Sequence, residues 1–99
     1  MGQRGAAPKV PLNMDAFWSK VAGLQDKDWK GRIDSRGEIS LFHPELGTLS
    51  MREVCRSFEL PSVHIGRVVE ASKNIGRRHK ATRRKLCRAL GLPIPPYIQ

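Results

Sequence analysis

The chain has 99 residues, of which 39% are hydrophobic and 27% are charged, and its formal net charge at pH 7 is +9. This length and composition predict one small globular domain and exclude a chain that is disordered throughout. No apolar run approaches the roughly 20 residues that cross a bilayer, and the first residues lack the apolar region of a secretory signal. We therefore expect a cytoplasmic protein with no membrane partner.

The positive charge is concentrated in the second half of the chain. Residues 1–60 hold nine Lys or Arg against eight Asp or Glu, whereas residues 61–99 hold nine Lys or Arg against Glu70 alone. A near-neutral half joined to a strongly basic half predicts a scaffold that carries an anion-binding face. Nucleic acid is the simplest partner for such a face, although a basic surface kept for solubility would give the same distribution.

Glycine and proline mark both ends of the chain as lying outside the folded domain. Residues 1–12 combine glycines and prolines with Arg4 and Lys9, which predicts a flexible basic arm. Such an arm could lie in a DNA minor groove or be disordered. Residues 94–99 predict an extended Pro-rich tail, so we expect a single domain over residues 13–93.

The first helix is predicted from Met14 to Leu24. Asn13 is a suitable N-cap for it, and Phe17, Val21 and Leu24 fall on one face of the helix. The polar stretch that follows, over residues 25–30, predicts a loop.

A short β-hairpin is predicted over residues 29–43. Ile33, Ile39 and Leu41 alternate with polar residues, and residues 34–37 have turn chemistry. An isolated hairpin is only marginally stable, so this one must pack on the helices.

Three helices are predicted in the basic half, after a connector over residues 45–48. Their expected ranges are residues 50–58, 62–74 and 81–90. Ser50 and Glu53 have the spacing of a capping box at the start of the first of these helices, and Gly91 suits the end of the last. The fold class is therefore α+β, mainly helical, with one hairpin.

The first two of these helices have the burial pattern of a helix-turn-helix. Two helices that cross through a short turn need inward hydrophobes, one small residue where they touch, and an apolar residue in the turn. Suitable residues stand at all of these positions: Val54, Cys55, Phe58, Leu60, Ile65 and Val68. Glu59 occupies the turn position that usually takes glycine, because the backbone there is left-handed.

The segment LSMREVCRSFELPSVHIGRVVEAS, residues 49–72, resembles the helix-turn-helix of the lambda-repressor/Cro superfamily and excisionase-type modules. The resemblance continues through NIGRRHKATRRKLCRALGLP, residues 74–93, where that superfamily has a basic loop and a helix ending in a similar ALGLP. The match covers roughly half the chain. The hairpin at residues 29–43 departs from the superfamily's usual pattern.

This resemblance implies sequence-specific binding of duplex DNA, with the second helix of the motif in the major groove. The residues expected to read bases are Ser62, Val63, His64, Gly66 and Arg67. Arg67 suits a bidentate contact to guanine, and Val63 suits contact with a thymine methyl group. His64 could equally be a plain surface histidine, and Ser62 could serve only as a helix cap.

Basic residues around and after that helix would hold DNA phosphates, which set affinity and register rather than sequence. The candidates are Lys73, Arg77, Arg78, Lys80, Thr82, Arg83, Arg84, Lys85 and Arg88. Thr82 is included as a candidate N-cap of the last helix, where free backbone N–H groups could receive a phosphate. A solvated run of charge is the alternative interpretation.

We expect a transcriptional regulator of a phage or mobile element, close to the nucleoid. A homodimer is plausible, because one such motif reads only a half-site. We expect no enzyme, no cofactor and no metal, since the cysteines and histidines are too far apart for zinc-finger spacing. Cys55 and Cys87 lie in apolar helical patterns, which predicts buried free thiols rather than a disulfide.

A second resemblance, to a family of enzymes, does not predict catalytic activity for this chain. HPELGTLSMREVCRSFELP, residues 43–61, and GLPIPP, residues 91–96, look like C-terminal motifs of DNA cytosine-5 methyltransferases. The catalytic Pro-Cys segment and the cofactor loop of those enzymes are missing, so we interpret this match as convergence. Two other functions stay open: an RNA-binding accessory protein that uses the same basic face, and an inhibitor or adaptor that binds an acidic host protein.

Overall fold

The computed structural model describes residues 13–73 and 78–96. It confirms the α+β class, with helices predominant. The elements in chain order are α1 (Met14–Gly23), a 3₁₀ helix (Leu24–Lys27), β1 (Lys30–Ile33), β2 (Ile39–His43), β3 (Gly47–Ser50), α2 (Met51–Ser57), α3 (Ser62–Ser72) and α4 (Lys80–Leu90). The predicted N-terminal arm lies outside the described residues, as do residues 97–99 of the predicted tail.

Side-chain caps determine where α1 and α2 begin. The Asn13 side chain accepts a hydrogen bond from the backbone N–H of Asp15 at 2.8 Å. At the start of α2, the Glu53 carboxylate accepts from the Ser50 backbone N–H at 3.0 Å, and the Ser50 hydroxyl accepts from the Glu53 backbone N–H. The predicted N-cap and the predicted capping box are both confirmed.

The predicted hairpin is part of a three-stranded antiparallel sheet with the order β1-β2-β3. Gly31 lies opposite Leu41 in the first pair, and Leu41 lies opposite Leu49 in the second. The prediction of a plain connector after the hairpin is therefore wrong, because the chain makes a turn and adds β3. The predicted loop over residues 25–30 also contains a 3₁₀ turn that the sequence pattern did not indicate.

His43 builds the turn that returns the chain into β3. Its side chain is buried, and Nδ1 accepts hydrogen bonds from the backbone N–H groups of Glu45 at 3.0 Å and Leu46 at 3.1 Å. Gly47 then takes a left-handed φ of +88°, which glycine adopts without a steric penalty. The His43 imidazole thus satisfies two backbone N–H groups of this short turn.

One core joins all the layers of the fold. It contains Phe17 and Val21 of α1, Ile39 and Leu41 of β2, and Leu86 of α4, none of which has exposed area. The helices α2 and α3 add Met51, Val54, Cys55 and Val68, and further members come from the α2–α3 turn and from α4: Leu60, Cys87, Ala89 and Leu90. Ile94 also packs against this core, so the folded part of the chain extends past the predicted boundary at residue 93.

Gly31 lets β1 approach the end of α4. A Cβ atom at this position would lie 2.8 Å from the Cβ of Leu90 and 3.1 Å from a methyl group of Leu92. Real Cβ atoms do not come that close, so any other residue would push the sheet away from the helix. This contact fixes the sheet against the same helix that borders the candidate site.

The two cysteines are buried free thiols, as predicted. Cys55 has no exposed area and is one of the buried residues of α2. Burial raises the pKa of the Cys55 thiol to about 11, and burial also raises the pKa of Cys87. Both groups therefore act as small apolar residues at neutral pH.

Candidate nucleic-acid interface

The turn between α2 and α3 has the conformation that the sequence pattern predicts. Glu59 has a left-handed φ of +57°. Its backbone N–H donates to the carbonyl of Arg56, and the N–H of Leu60 donates to the carbonyl of Cys55, both at 3.0 Å. These two bonds form a Schellman motif, which ends α2 and redirects the chain. Leu60 is 4% exposed and fills the turn, as expected.

The N-terminal half of α3 presents one exposed stripe. Ser62, Val63, Gly66 and Arg67 are all exposed and lie within one side of the helix, and we call them the α3 stripe. Val63 is 72% exposed. A Cβ atom at Gly66 would meet nothing within 4 Å. Four of the five predicted base-reading residues thus share a single open surface.

His64, the fifth predicted base-reading residue, is partly buried at the edge of the stripe. It lines a groove between α1, α3 and α4, together with Arg67. His64 therefore faces a neighbouring helix more than open solvent. Its predicted contact with a base edge is less direct than the contacts available to the α3 stripe.

Glu70 extends the exposed side of α3 by one more turn. Its Oε1 lies 3.0 Å from Nε2 of His79, the residue that immediately precedes α4. The pair ties the end of α3 to the start of α4 across the part of the chain between them. Sequence reasoning missed this contact, because a spacing of nine residues across a helix break has no periodic signal.

The predicted phosphate-binding residues differ in exposure. Lys73, Arg78, Lys85 and Arg88 are exposed, while Lys80, Thr82 and Arg84 are partly buried. Arg77 lies outside the described residues. The prediction that Thr82 is an N-cap is wrong, because α4 begins at Lys80 with His79 in the capping position. Thr82 instead lies in the first turn of α4, beside Arg67 and Lys85.

The prediction that Arg83 binds phosphate is also wrong. Arg83 is only 4% exposed. Its Nη1 donates to the carbonyls of Ala71 at 2.8 Å and Ser72 at 3.2 Å, and its Nη2 donates to the carbonyl of Gly37 at 2.7 Å. The guanidinium therefore holds the end of α3 and the β1–β2 turn together, and it is not available to a ligand.

The helical periodicity of α4 could have revealed this burial. Arg83 precedes Leu86, Cys87 and Leu90 by three, four and seven residues, which places it on their face of the helix. The dense run of basic residues around it hid the pattern. The last carbonyls of a helix carry partial negative charge, so the end of α3 is a favourable place for a buried cation.

Two grooves border α1 and α4 near the α3 stripe. The first has a volume of about 130 Å³ and brings Arg67 of α3 and Lys85 of α4 to the same opening, against Met14 and Trp18 of α1. The second is more open, with a volume of about 350 Å³, and is lined by Lys85, Arg88 and Asp15. Lys85 thus borders both grooves, with Arg67 at the first and with Arg88 and Asp15 at the second.

Searches for other kinds of site gave negative findings within the described ranges. No group of three or more His, Cys, Asp or Glu side chains there could hold a metal ion. No helix in residues 13–73 or 78–96 has the length and apolar character needed to cross a membrane. Among known proteins, no family model, no curated protein and no solved structure matches this chain.

Proposed function

We propose that this protein binds duplex DNA with sequence preference, using α3 as the helix that enters the major groove. The α3 stripe is the observation that supports the proposal most strongly. It places an exposed apolar residue, Val63, next to Arg67 on the second helix of a helix-turn-helix pair. An exposed apolar side chain on a basic surface is typical of a binding site, because a partner that covers it removes its apolar area from water.

Each residue of the stripe has a chemical role in this proposal. Arg67 donates two hydrogen bonds to the O6 and N7 atoms of guanine, and Val63 packs against a thymine methyl group. Gly66 leaves room for the helix to approach the base edges. Ser62, at the first position of α3, reaches a base edge or a phosphate.

Phosphate contacts would come from the cations around the stripe. Lys73 and Arg78 lie exposed between the end of α3 and the start of α4, and Lys85 shares a groove with Arg67. Lys80 and Arg84 are less exposed, and they lie four residues apart on one face of α4, from which both would contact phosphates. Arg88, which is exposed on α4, adds a further cation.

The biological role that fits such a module is a regulator of phage or mobile-element type, close to the nucleoid in the cytoplasm. One helix-turn-helix reads a half-site, so a homodimer on a two-fold symmetric operator is the proposed active form. Duplex DNA is favoured over RNA because the stripe projects from a helix, which fits the major groove of B-form DNA and not the narrow groove of A-form RNA.

Fluorescence anisotropy against random duplex DNA, structured RNA and single strands, across a salt series, tests this proposal. We expect the tightest binding to duplex DNA, with a logarithmic salt slope of about −0.9 for each phosphate contacted. Preferential binding to structured RNA would contradict the proposal of DNA and would identify RNA as the ligand of this surface. Weak and equal binding to all three would contradict the proposal and point to an acidic protein.

A further inference from the structure

We propose that the groove between α1, α3 and α4 binds an unpaired nucleotide, that is, a heterocyclic ring that carries a phosphate. The groove is the partly open space of about 130 Å³ beside the α3 stripe. This inference goes beyond the binding of paired DNA and does not depend on it, because the ligand could be a free nucleotide or an unpaired nucleotide within a nucleic acid.

The size and walls of the groove suit a flat ring. Met14 and Trp18 of α1, both partly exposed, supply its apolar lining. Cavities of about 150 Å³ hold a benzene-sized molecule, so a space of this size accepts one ring. The Trp18 ring is held in an edge contact with the Phe17 ring at 5.0 Å, and an indole is a preferred surface for stacking by a nucleic-acid base.

The charges at the groove suit an anion. Arg67 and Lys85 reach the opening from two different helices, and the hydroxyl of Thr82 lies beside them. None of the residues that line the groove carries a carboxylate. Neither cation forms an ion pair in the described part of the chain, where the pair found joins His79 and Glu70. A phosphate would neutralise both cations and accept hydrogen bonds from them.

An aromatic wall and two unpaired cations together favour a nucleotide over other anions. Inorganic phosphate would leave the apolar wall uncovered, and an uncharged ring would leave the cations unused. Arg67 belongs both to the groove and to the α3 stripe. A duplex with an unpaired nucleotide next to the contacted site could therefore fill both surfaces at once.

Fluorescence of Trp18 tests the inference. In a Trp29→Phe variant Trp18 is the only indole, so titration with adenosine monophosphate should quench its emission, with a dissociation constant near the millimolar range. A duplex with one unpaired adenine should quench more than its fully paired counterpart. In the unmodified chain, ¹H–¹⁵N spectra should show shifts of the Val68 and Ala81 amides, which covers the case in which Trp29→Phe does not fold.

Lys85→Ala should weaken the binding of adenosine monophosphate about fivefold, because it removes one of two charge-assisted contacts. Lys27→Ala is the matched control, since Lys27 is exposed, does not line the groove and has no part in the proposed DNA contacts, and it should leave that affinity unchanged. Quenching by the free nucleotide alone would identify a small-molecule ligand. Quenching only by the duplex that has one unpaired adenine would identify a nucleic-acid ligand.

Three results would overturn the inference. One is the absence of any change at Trp18, Val68 and Ala81 up to about 10 mM adenosine monophosphate, combined with identical responses to the two duplexes. Another is an equal effect of Lys85→Ala and Lys27→Ala on the affinity for adenosine monophosphate. The third is an equal response to inorganic phosphate, which would leave no role for the ring. Anisotropy of the paired duplex reports separately on the proposed function.

Discussion

The guanidinium of Arg83 donates hydrogen bonds to carbonyls from two separate parts of the fold. Ala71 and Ser72 lie at the end of α3, and Gly37 lies in the β1–β2 turn. The described contacts give this buried cation no carboxylate partner, and its Nε has no hydrogen-bond acceptor. Backbone dipoles therefore stabilise the charge, and the charge in turn fixes α3 relative to the sheet.

Arg83→Met should destabilise the protein by about 3 kcal/mol, because it leaves two buried carbonyls and one partly buried carbonyl without their charged donor. Urea unfolding at pH 7 measures this loss. Arg88→Met, on the exposed side of the same helix, is the control and should change the free energy of unfolding by no more than about 0.5 kcal/mol. Equal effects of the two substitutions would contradict the role given to Arg83.

Glu59 and Gly91 occupy the same conformation at the ends of two helices. Both have left-handed φ angles, +57° and +68°, and each is followed by a residue whose N–H donates back into the helix. At the end of α4 the residue is glycine, which suits the conformation, whereas at the end of α2 it is glutamate. A side chain with a Cβ is strained in this conformation by about 1 kcal/mol.

Glu59→Gly should therefore stabilise the protein by about 0.5 kcal/mol, after allowance for the greater freedom of glycine in the unfolded chain. Gly91→Ala is the reverse experiment at the equivalent position, and it should destabilise by about 1 kcal/mol. Thermal unfolding of both variants checks the pair. A lower midpoint for Glu59→Gly would mean that the Glu59 side chain makes a stabilising contribution that exceeds the strain.

Arg67→Ala should reduce affinity for a selected duplex by about 1–3 kcal/mol and leave affinity for random duplex nearly unchanged. The reason is that a bidentate contact to guanine contributes only where the guanine is present. Anisotropy on selected and random duplexes measures the ratio. Lys73→Ala should lower both affinities alike, and the same pattern for Arg67→Ala would remove Arg67 from base reading.

At the scale of the elements, α3 combines a well-packed inner side with an outer side that is poorly suited to a helix. Val68 and Val69 are buried, while Gly66 stands in the middle of the exposed stripe. Glycine within a helix costs stability relative to alanine. Its presence at an open position, where a methyl group would touch nothing in the protein, is consistent with close approach of a partner.

Gly66→Ala should raise the free energy of unfolding by about 0.5–1 kcal/mol and weaken specific duplex binding about fivefold, since the new methyl group stands between α3 and the bases. Gly23→Ala, at the end of α1, is the control: a Cβ atom there also meets nothing within 4 Å. That variant should leave duplex binding unchanged. Unchanged binding by Gly66→Ala would contradict the proposed approach of α3.

The elements that the sequence predicted well are those with local signals. Asn13 and the Ser50–Glu53 box gave the helix starts, and apolar spacing gave the inner faces of α1, α2 and α3. The strand β3 could not be predicted, because its turn depends on hydrogen bonds to a buried imidazole, that of His43. Such a contact depends on the tertiary fold, and no periodic pattern of residues in the sequence indicates it.

The candidate site was predicted in part for the same reason. The α3 stripe follows from helical periodicity, which separates it from Val68 on the buried side. The buried role of Arg83 and the sharing of one groove by Arg67 and Lys85 depend on how α3, α4 and α1 pack together. Net charge indicated the basic half of the chain but could not distinguish a structural cation, Arg83, from an exposed one.

At the scale of the whole molecule, helices and sheet share one core, and Cys55 of α2 lies within it. The folded state favours the protonated thiol, because burial raises its pKa from 9.0 to about 11. The resulting stabilisation is fully present below pH 9. It declines as the pH rises and is lost above about 11.

The free energy of unfolding should therefore fall by about 2–3 kcal/mol between pH 9 and pH 11 on account of Cys55. Cys55→Ala should lack this part of the decline, although it retains the smaller contribution of Cys87. Urea unfolding of both proteins at pH 7, 9 and 11 gives the difference. The same decline in both proteins would show that the Cys55 thiol does not couple to folding in this range.

The strand β3 ends at Ser50, and α2 begins at the next residue, with Ser50 as its cap. Because no residue separates them, no linker lies between the sheet and the α2–α3 pair. At the opposite end of β3 is the β2–β3 turn, where Leu46 is 71% exposed. A fluorophore attached at this turn would therefore report the orientation of α2 and α3, because no flexible linker separates the labelled turn from these helices.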